Sequence, residues 1–225
     1  MRKEKLGIYI HVPFCLQKCK YCDFTSYSAG ADQWDRYIQE LALEIEFQSQ
    51  FLLYKEVDTI FFGGGTPSLL GPERLSLILQ KVRACFSVDS NAEITLEVNP
   101  ETVDLAALQG YKAAGFTRAS IGVQSLNEQE LVECGRIHSS DQARKAVHEA
   151  HEAGFVHLYI DLMYGLPSQS LKSFQETLKE AASWPIDHLS VYGLQIEEGT
   201  PFYRLEEQGL LQLPSPKEEE ETYYW

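Results

Sequence analysis

The sequence predicts an α/β protein with a parallel sheet and its helices outside. Short apolar, β-branched runs alternate six times with stretches of helical period. Strand starts recur at intervals of about 25 to 50 residues, room for one crossover helix each. The 225 residues are 44% hydrophobic, enough for a real core in one sizeable domain.

The elements follow in order. Strand one is "GIYIHV" (7–12), rich in β-branched and aromatic residues. In "DQWDRYIQELALEIEFQ", Trp34, Tyr37, Ile38, Leu41 and Ile45 share one helical face. Strand two is "VDTIFFG" (57–63); the helix "GPERLSLILQKVRACF" then opens with Pro72, suited to a first turn. Strand three is "EITLEV" (93–98), followed by "DLAALQGYKAAG", which a terminal glycine closes. Strand four, "RASIGVQ" (118–124), leads to "SDQARKAVHEAHEAG", also ending in glycine. Strand five, "HLYIDLMYG" (157–165), precedes "SLKSFQETLKEAAS"; strand six is "HLSVYGL" (188–194). Pro214 and Pro216 then mark a break, and a charged helix is expected from 217. We expect a core at 1–203 and, at 204–225, the start of a C-terminal region cut from a longer protein. An open doubly wound sheet and a partial barrel both satisfy this pattern; six units are too few to close an eight-stranded barrel.

The formal net charge is -14, which argues against a nucleic-acid backbone as main partner. The start "MRKEKLGIYIHV" is basic but has no long apolar segment and no small-residue cleavage site, so no signal peptide is expected. No run is apolar enough for a membrane span. A reducing, cytoplasmic location follows, where clustered thiols bind metal more often than they pair.

In parallel α/β folds, chemistry gathers at the carboxyl ends of the strands. Cys15, Cys19 and Cys22 follow strand one with C-x3-C-x2-C spacing, and "GGGTP" (63–67) follows strand two. Glu97, Gln124 and Asp161 stand at or near the ends of strands three, four and five, and Tyr192 on strand six. Three thiolates suit a zinc ion with His11 or Asp23 as fourth ligand, or an iron–sulfur cluster with one iron left open. The glycines either serve a tight turn or let a ligand lie against the backbone. Glu97 and Asp161, on strands that should be apolar, need partners: Arg136 or a cationic ligand. Of the histidines, His11 either lines the metal site or packs beneath it, and His138 either faces the cavity or caps a helix. Cys85 and Cys134 read as ordinary helical cysteines.

Together these stretches resemble the radical S-adenosylmethionine (SAM) enzymes. The likeness rests on "YIHVPFC", "CKYCDF", "FFGGGTPSLL", "LEVNPE", "SIGVQS", "CGRIHS" and "DLMYGLP", and runs through "EEGTPFY" to about 203. It is strongest for the branch of oxygen-independent coproporphyrinogen III dehydrogenases and HemW heme chaperones. The resemblance implies a partial (β/α)6 TIM-like barrel. It implies that Cys15, Cys19 and Cys22 hold a [4Fe-4S] cluster whose open iron is chelated by SAM. By family pattern, Tyr9, Gly64 and Glu97 contact this SAM. Tyr21, Gly65, Thr66, Gln124, Arg136 and Asp161 match contacts of a second SAM, so one or two molecules are expected.

One departure separates the two functions within that branch. The dehydrogenase reads C-x3-C-x2-C-x-C; this chain has Phe24 in place of the fourth cysteine. "CDF" resembles the HemW pattern, which implies heme as cargo and respiratory proteins as acceptors. It also implies an electron donor such as flavodoxin or ferredoxin, and association with a membrane surface. The alternatives are the dehydrogenase itself and a structural metal-binding domain without SAM.

Overall fold

The computed structural model describes residues 5–53 and 55–225. The basic start at 1–4, read above for a signal peptide, lies outside the described residues. Among those described, six strands form one sheet in the order β1 to β6, every neighbouring pair parallel. They are β1 (Leu6–Val12), β2 (Glu56–Gly64), β3 (Ser87–Val98), β4 (Arg118–Gln124), β5 (His157–Tyr164) and β6 (His188–Gly193). A doubly wound sheet reverses its strand order at a switch point. This sheet never reverses, so its crossovers all wind one way, and the sheet curls as a barrel does. β1 and β6 are not paired to each other, which leaves the barrel open.

The helices between strands are α1 (Ala31–Phe51), α2 (Gly71–Cys85), α3 (Leu105–Ala114), α4 (Glu128–Glu133), α5 (Ser140–Glu152) and α6 (Leu171–Ala181). Strand alternation sends Val12, Ile60, Phe62, Leu96, Ile121, Val123, Ile160 and Leu162 to the helix side, where each is almost fully buried. They meet Leu75, Leu79 and Val82 of α2, Leu108 and Tyr111 of α3, and Val147 of α5. The alternate positions face the concave side, so Gly63, Glu97, Gly122 and Asp161 look inward. This period of two is why polar residues persist on otherwise apolar strands.

Several boundaries differ from expectation. β3 begins at Ser87, not 93, because Ser87 and Val88 pair with Glu56 and Val57 ahead of a bulge at 89–92 in β3. α4 is a helix that the sequence pattern does not predict. It is only six residues long, and depends on Asn127, whose Oδ1 accepts from Gln129 N and Glu130 N. α7 (Pro201–Glu207) also went unread, although Thr200 capping Tyr203 N before Pro201 is a legible start signal. α8 (Pro216–Tyr224) starts one residue earlier than predicted, under a Ser215 capping box, and packs on α6 and β5.

Candidate cofactor site at the carboxyl rim

The chain leaves β1 through Pro13 and Phe14 into the cysteine loop, which tertiary bonds hold in place. Phe14 lies edge-on to Tyr27 and Tyr37, with centroids 5.4 and 5.2 Å away. Tyr27 N donates to Pro13 O at 2.9 Å, and Cys15 N to Tyr27 O at 3.2 Å. His11 Nε2 lies 2.8 Å from Thr25 O, a carbonyl that can only accept, so Nε2 carries the proton. Its Nδ1 is then the acceptor for Tyr9 OH at 3.1 Å. His11 therefore braces the loop from beneath.

The glycine turn closes against this loop, and each glycine has a steric reason. A Cβ on Gly65 would lie 2.6 Å from Phe14 O and 2.9 Å from Phe14 N. Gly64 has φ +109°, and its Cβ would strike the His11 ring at 2.6 Å. A Cβ on Gly63 would come within 3.0 Å of Glu97 Oε2. Gly65 N donates to Val12 O and Thr66 N to Phe14 O, both at 2.7 Å. The triplet thus admits the cysteine loop's own backbone to the rim. We expect Gly65→Ala to displace Phe14 and Cys15 and cost about 2–3 kcal/mol, a size typical of overpacked sites. A thermal melt of the cluster-free chain measures this; an unchanged melting temperature contradicts it.

These segments enclose a cavity of about 370 Å³. Cys15, Cys19 and Cys22 line it, all half-buried, together with Tyr21, Gly64, Gly65, Thr66, Glu97, Gln124, Arg136 and Asp161. Two sulfurs receive donors: Thr66 Oγ1 lies 3.5 Å from Cys15 Sγ, and Arg136 Nη1 3.6 Å from Cys19 Sγ. Among the described residues no three His, Cys, Asp or Glu side chains converge on a point that one ion could occupy. The thiol wall suits a larger, soft-ligand group such as an iron–sulfur cluster.

Arg136 spans the rear wall. Its Nη2 donates to Gly122 O at 2.6 Å and to Asn99 Oδ1 at 3.0 Å, while its buried Nε has no partner among the described residues. Burial opposes the charge, but Tyr21, Cys19 and Glu101 outweigh it and hold the guanidinium charged. Asn99, two residues past Glu97 and not singled out from the sequence, passes this order on by donating to Thr66 Oγ1 at 3.0 Å. Gln124 ends β4 with φ 66°, a left-handed backbone that a non-glycine residue adopts at a cost.

Arg136 pairs with neither Glu97 nor Asp161. Glu97 Oε2 accepts from Gly64 N at 3.1 Å, and Asp161 Oδ2 from Ser120 OH at 3.3 Å. Among the described residues neither carboxylate forms an ion pair. Burial first, then the nearby Asp161, pushes Glu97 up from its ordinary 4.5 to about 7, against the Gly64 amide. Burial likewise raises Asp161, against bonds from Ser190 and Ser120. The folded state therefore binds the Glu97 proton more tightly than the unfolded chain. The cost of ionising it is absent below 4.5 and complete above about 7, on the order of 3 kcal/mol. We expect Glu97→Gln to melt with the wild type near pH 4.5 and progressively above it toward pH 8. Parallel melting curves across that range contradict the assignment.

Two expected residues fall elsewhere. Tyr9 does not reach the cavity. Its ring stacks on Phe61 at 6.0 Å and lies in a groove between β1 and α1. It stands on β1 at the sheet's free edge, on the same face as Glu97 and within its electrostatic reach. His138 neither faces the cavity nor caps a helix; it is buried behind the rim, 3.1 Å from Val123 O. Phe24 lines the cavity at the position where the fourth cysteine would stand.

A one-way parallel partial barrel with a three-thiol loop against a glycine turn defines a class. The chain belongs to the Radical SAM superfamily, whose model matches residues 9–181. That membership implies a [4Fe-4S] cluster and SAM. Within the class, the chain is 43% identical over 198 residues to the heme chaperone HemW of Escherichia coli K12, covering 88% of this chain and 52% of that protein. It is 39% identical over 217 residues to the HemW of Mycobacterium tuberculosis, covering 95% and 56%. The coproporphyrinogen III oxidase HemN of Escherichia coli, described as a radical SAM enzyme, superposes with a TM-score of 0.88 at 30% identity, covering 98% of this chain and 51% of that one. The chain spans about half the length of these curated relatives. No described helix is long and apolar enough to cross a membrane.

Proposed function

We propose that this chain is the radical SAM portion of a HemW-like heme chaperone, its core at 1–203 and a C-terminal region beginning at 204. One observation carries the cofactor reading: two buried carboxylates that form no ion pair among the described residues face the same cavity as three half-buried thiols. A sulfonium cofactor with an amino group supplies the missing positive charge. Cys15, Cys19 and Cys22 hold the [4Fe-4S] cluster. Thr66 and Arg136 steady two of the sulfurs. Gly64, Gly65 and Glu97 would receive SAM at the open iron, with Tyr9 as a further contact from the β1 side. Tyr21, Thr66, Gln124, Arg136 and Asp161 have room to hold a second SAM. When bound, the pair supplies one-electron cleavage of SAM's sulfur–carbon bond. The protein orients the cofactor and limits its access to water.

Phe24 favours the chaperone over the dehydrogenase. An aromatic ring stands where a fourth thiol would, so that wall of the cavity offers apolar contact and no sulfur donor. Heme is the cargo and respiratory proteins are its acceptors. A flavodoxin or ferredoxin supplies the electron in the cytoplasm, and the loaded protein works at a membrane surface. Two measurements on the anaerobically reconstituted protein test this. Hemin titration should reach a stoichiometric end point, with transfer to an apo-acceptor. Coproporphyrinogen III should remain unconverted; its oxidation to protoporphyrinogen IX overturns the choice.

A further inference from the structure

Cys134 has no role in cluster binding, yet the fold sets it against a cluster cysteine. Lys20 N, the amide that follows Cys19, donates to Cys134 O at 2.9 Å, and Gln17 Nε2 donates to Gly135 O at 3.0 Å. Bond lengths then cap the Cys19–Cys134 Cα separation at roughly 7.7 Å for a fully straight path. A bend at the hydrogen bond that shortens this path by about 1 Å brings it into the range of about 4.4–6.8 Å that a disulfide spans. Gly135 permits this approach: it has φ +74°, and an added Cβ would meet Lys20 Cγ at 3.2 Å. The Arg136 guanidinium, two residues past Cys134, donates to Cys19 Sγ, and Cys134 itself lies within electrostatic reach of Cys19. Tyr21 interacts with both thiols. Their exposures differ: Cys19 is half-buried and lines the cavity, whereas Cys134 is 1% exposed.

We propose that Cys19 and Cys134 form a disulfide in the cluster-free protein, Cys19 as the attacking thiol and Cys134 as the resolving one. The oxidant is a low-molecular-weight disulfide of the glutathione class. The Cys19 thiolate attacks one glutathione sulfur, the S–S bond breaks, and one glutathione leaves as thiolate. Cys134 then gives up its proton, attacks the Cys19 sulfur and expels the second glutathione. Two protein thiols are oxidised, and one glutathione disulfide is reduced to two glutathione molecules. Exposure sets the order, since only Cys19 meets a dissolved oxidant. A bound cluster occupies Cys19 and blocks the first attack. The bridge therefore forms only on empty protein, where it withholds one ligand reversibly and protects Cys19 from irreversible oxidation.

The rival partner is Cys22, across the turn in which Cys22 N donates to Cys19 O at 3.2 Å. Peptide mapping of the whole chain decides between them. Cluster-free protein is treated with oxidised glutathione, its remaining thiols are alkylated, and the digest is read without reduction. The expected product joins the Cys19 and Cys134 peptides with a loss of about 2 Da. Cluster-loaded protein should lose that species. Cys134→Ser, or Cys134→Ala if the serine variant fails to fold, should retain glutathione on Cys19 as a mixed disulfide. A Cys19–Cys22 or Cys15–Cys19 bridge with Cys134 alkylated in the wild type overturns the proposal. So does equal bridging in the cluster-loaded protein.

Discussion

Cys19→Ala is expected to cost the chain its cluster while leaving the fold intact. Iron retained after anaerobic reconstitution and desalting should drop more than tenfold, since losing even a supporting contact of a metal ligand typically costs 10–100-fold in affinity. The visible absorbance of the cluster should fall with it. The fold should survive because the cysteine loop is fastened by other groups: Lys20 N on Cys134 O, Gln17 on Gly135 O, and His11 on Thr25 O. Cys19 itself is half-buried and a free thiol in this structure, so the comparison is made on reduced protein. The cluster-free melting temperature should therefore shift by less than that of a core truncation, about 1 kcal/mol or under. Cys85→Ala is the control. That residue ends α2 away from the cavity and should retain full iron. Normal iron content in Cys19→Ala removes the cluster assignment.

Glu130→Ala should give the largest loss of stability, although Glu130 touches neither thiol nor cavity. Glu130 is fully buried. Its Oε2 accepts from Ser125 OH at 2.6 Å and Gln169 Nε2 at 3.0 Å, and its Oε1 from Ser173 OH at 2.6 Å. Those donors come from the exit of β4, the loop after β5 and the first turn of α6. Gln169 Nε2 also reaches Met163 O at 3.1 Å. Removing the carboxylate strands the buried Ser125 hydroxyl and takes a charged acceptor from Gln169 and Ser173, which keep Met163 O and Ser170 O; each loss is worth about 1–3 kcal/mol. The expected cost is about 3–5 kcal/mol, or roughly 10 °C in melting temperature for a domain of this size. Glu130→Gln keeps one acceptor oxygen and should lose markedly less. Because α4 leads directly into Cys134 and Arg136, the alanine variant should also weaken iron retention. A change under 1 kcal/mol would show the network to be dispensable.

The two predictions differ in how visible their residues were beforehand. Three cysteines within eight residues announce a metal site in any fold, because few other uses need that density of thiols. Gly63–Gly65, Glu97, Gln124 and Asp161 could be tied to the same rim because each lies at or near a strand end, whereas Arg136 came from the family resemblance. Glu130 was invisible. It lies in a short helix with no apolar period, and a glutamate there reads as a solvated face until Ser125, Gln169 and Ser173 are folded around it. Asn99 was hidden similarly: nothing in "EVNP" says that its amide will link Thr66 to Arg136. The glycine triplet was legible as a feature but not in its cause. The atoms that exclude a Cβ belong to Phe14, His11, Phe61 and Glu97, at least 33 residues away for Glu97 and about 50 for Phe14.

By itself the sequence determined the six-fold strand–helix rhythm, the side of the sheet on which chemistry collects, and the soft ligand set of the three thiols. Those depend on local period and residue chemistry, which a chain carries wherever it goes. Only the tertiary structure decided that the sheet winds in one direction, that Arg136 serves a sulfur and a carbonyl and leaves both carboxylates unpaired, that Tyr9 leans to the free edge, and that Cys134 stands beside Cys19. Each of those depends on distances between segments far apart in the chain, set by strand order and helix packing.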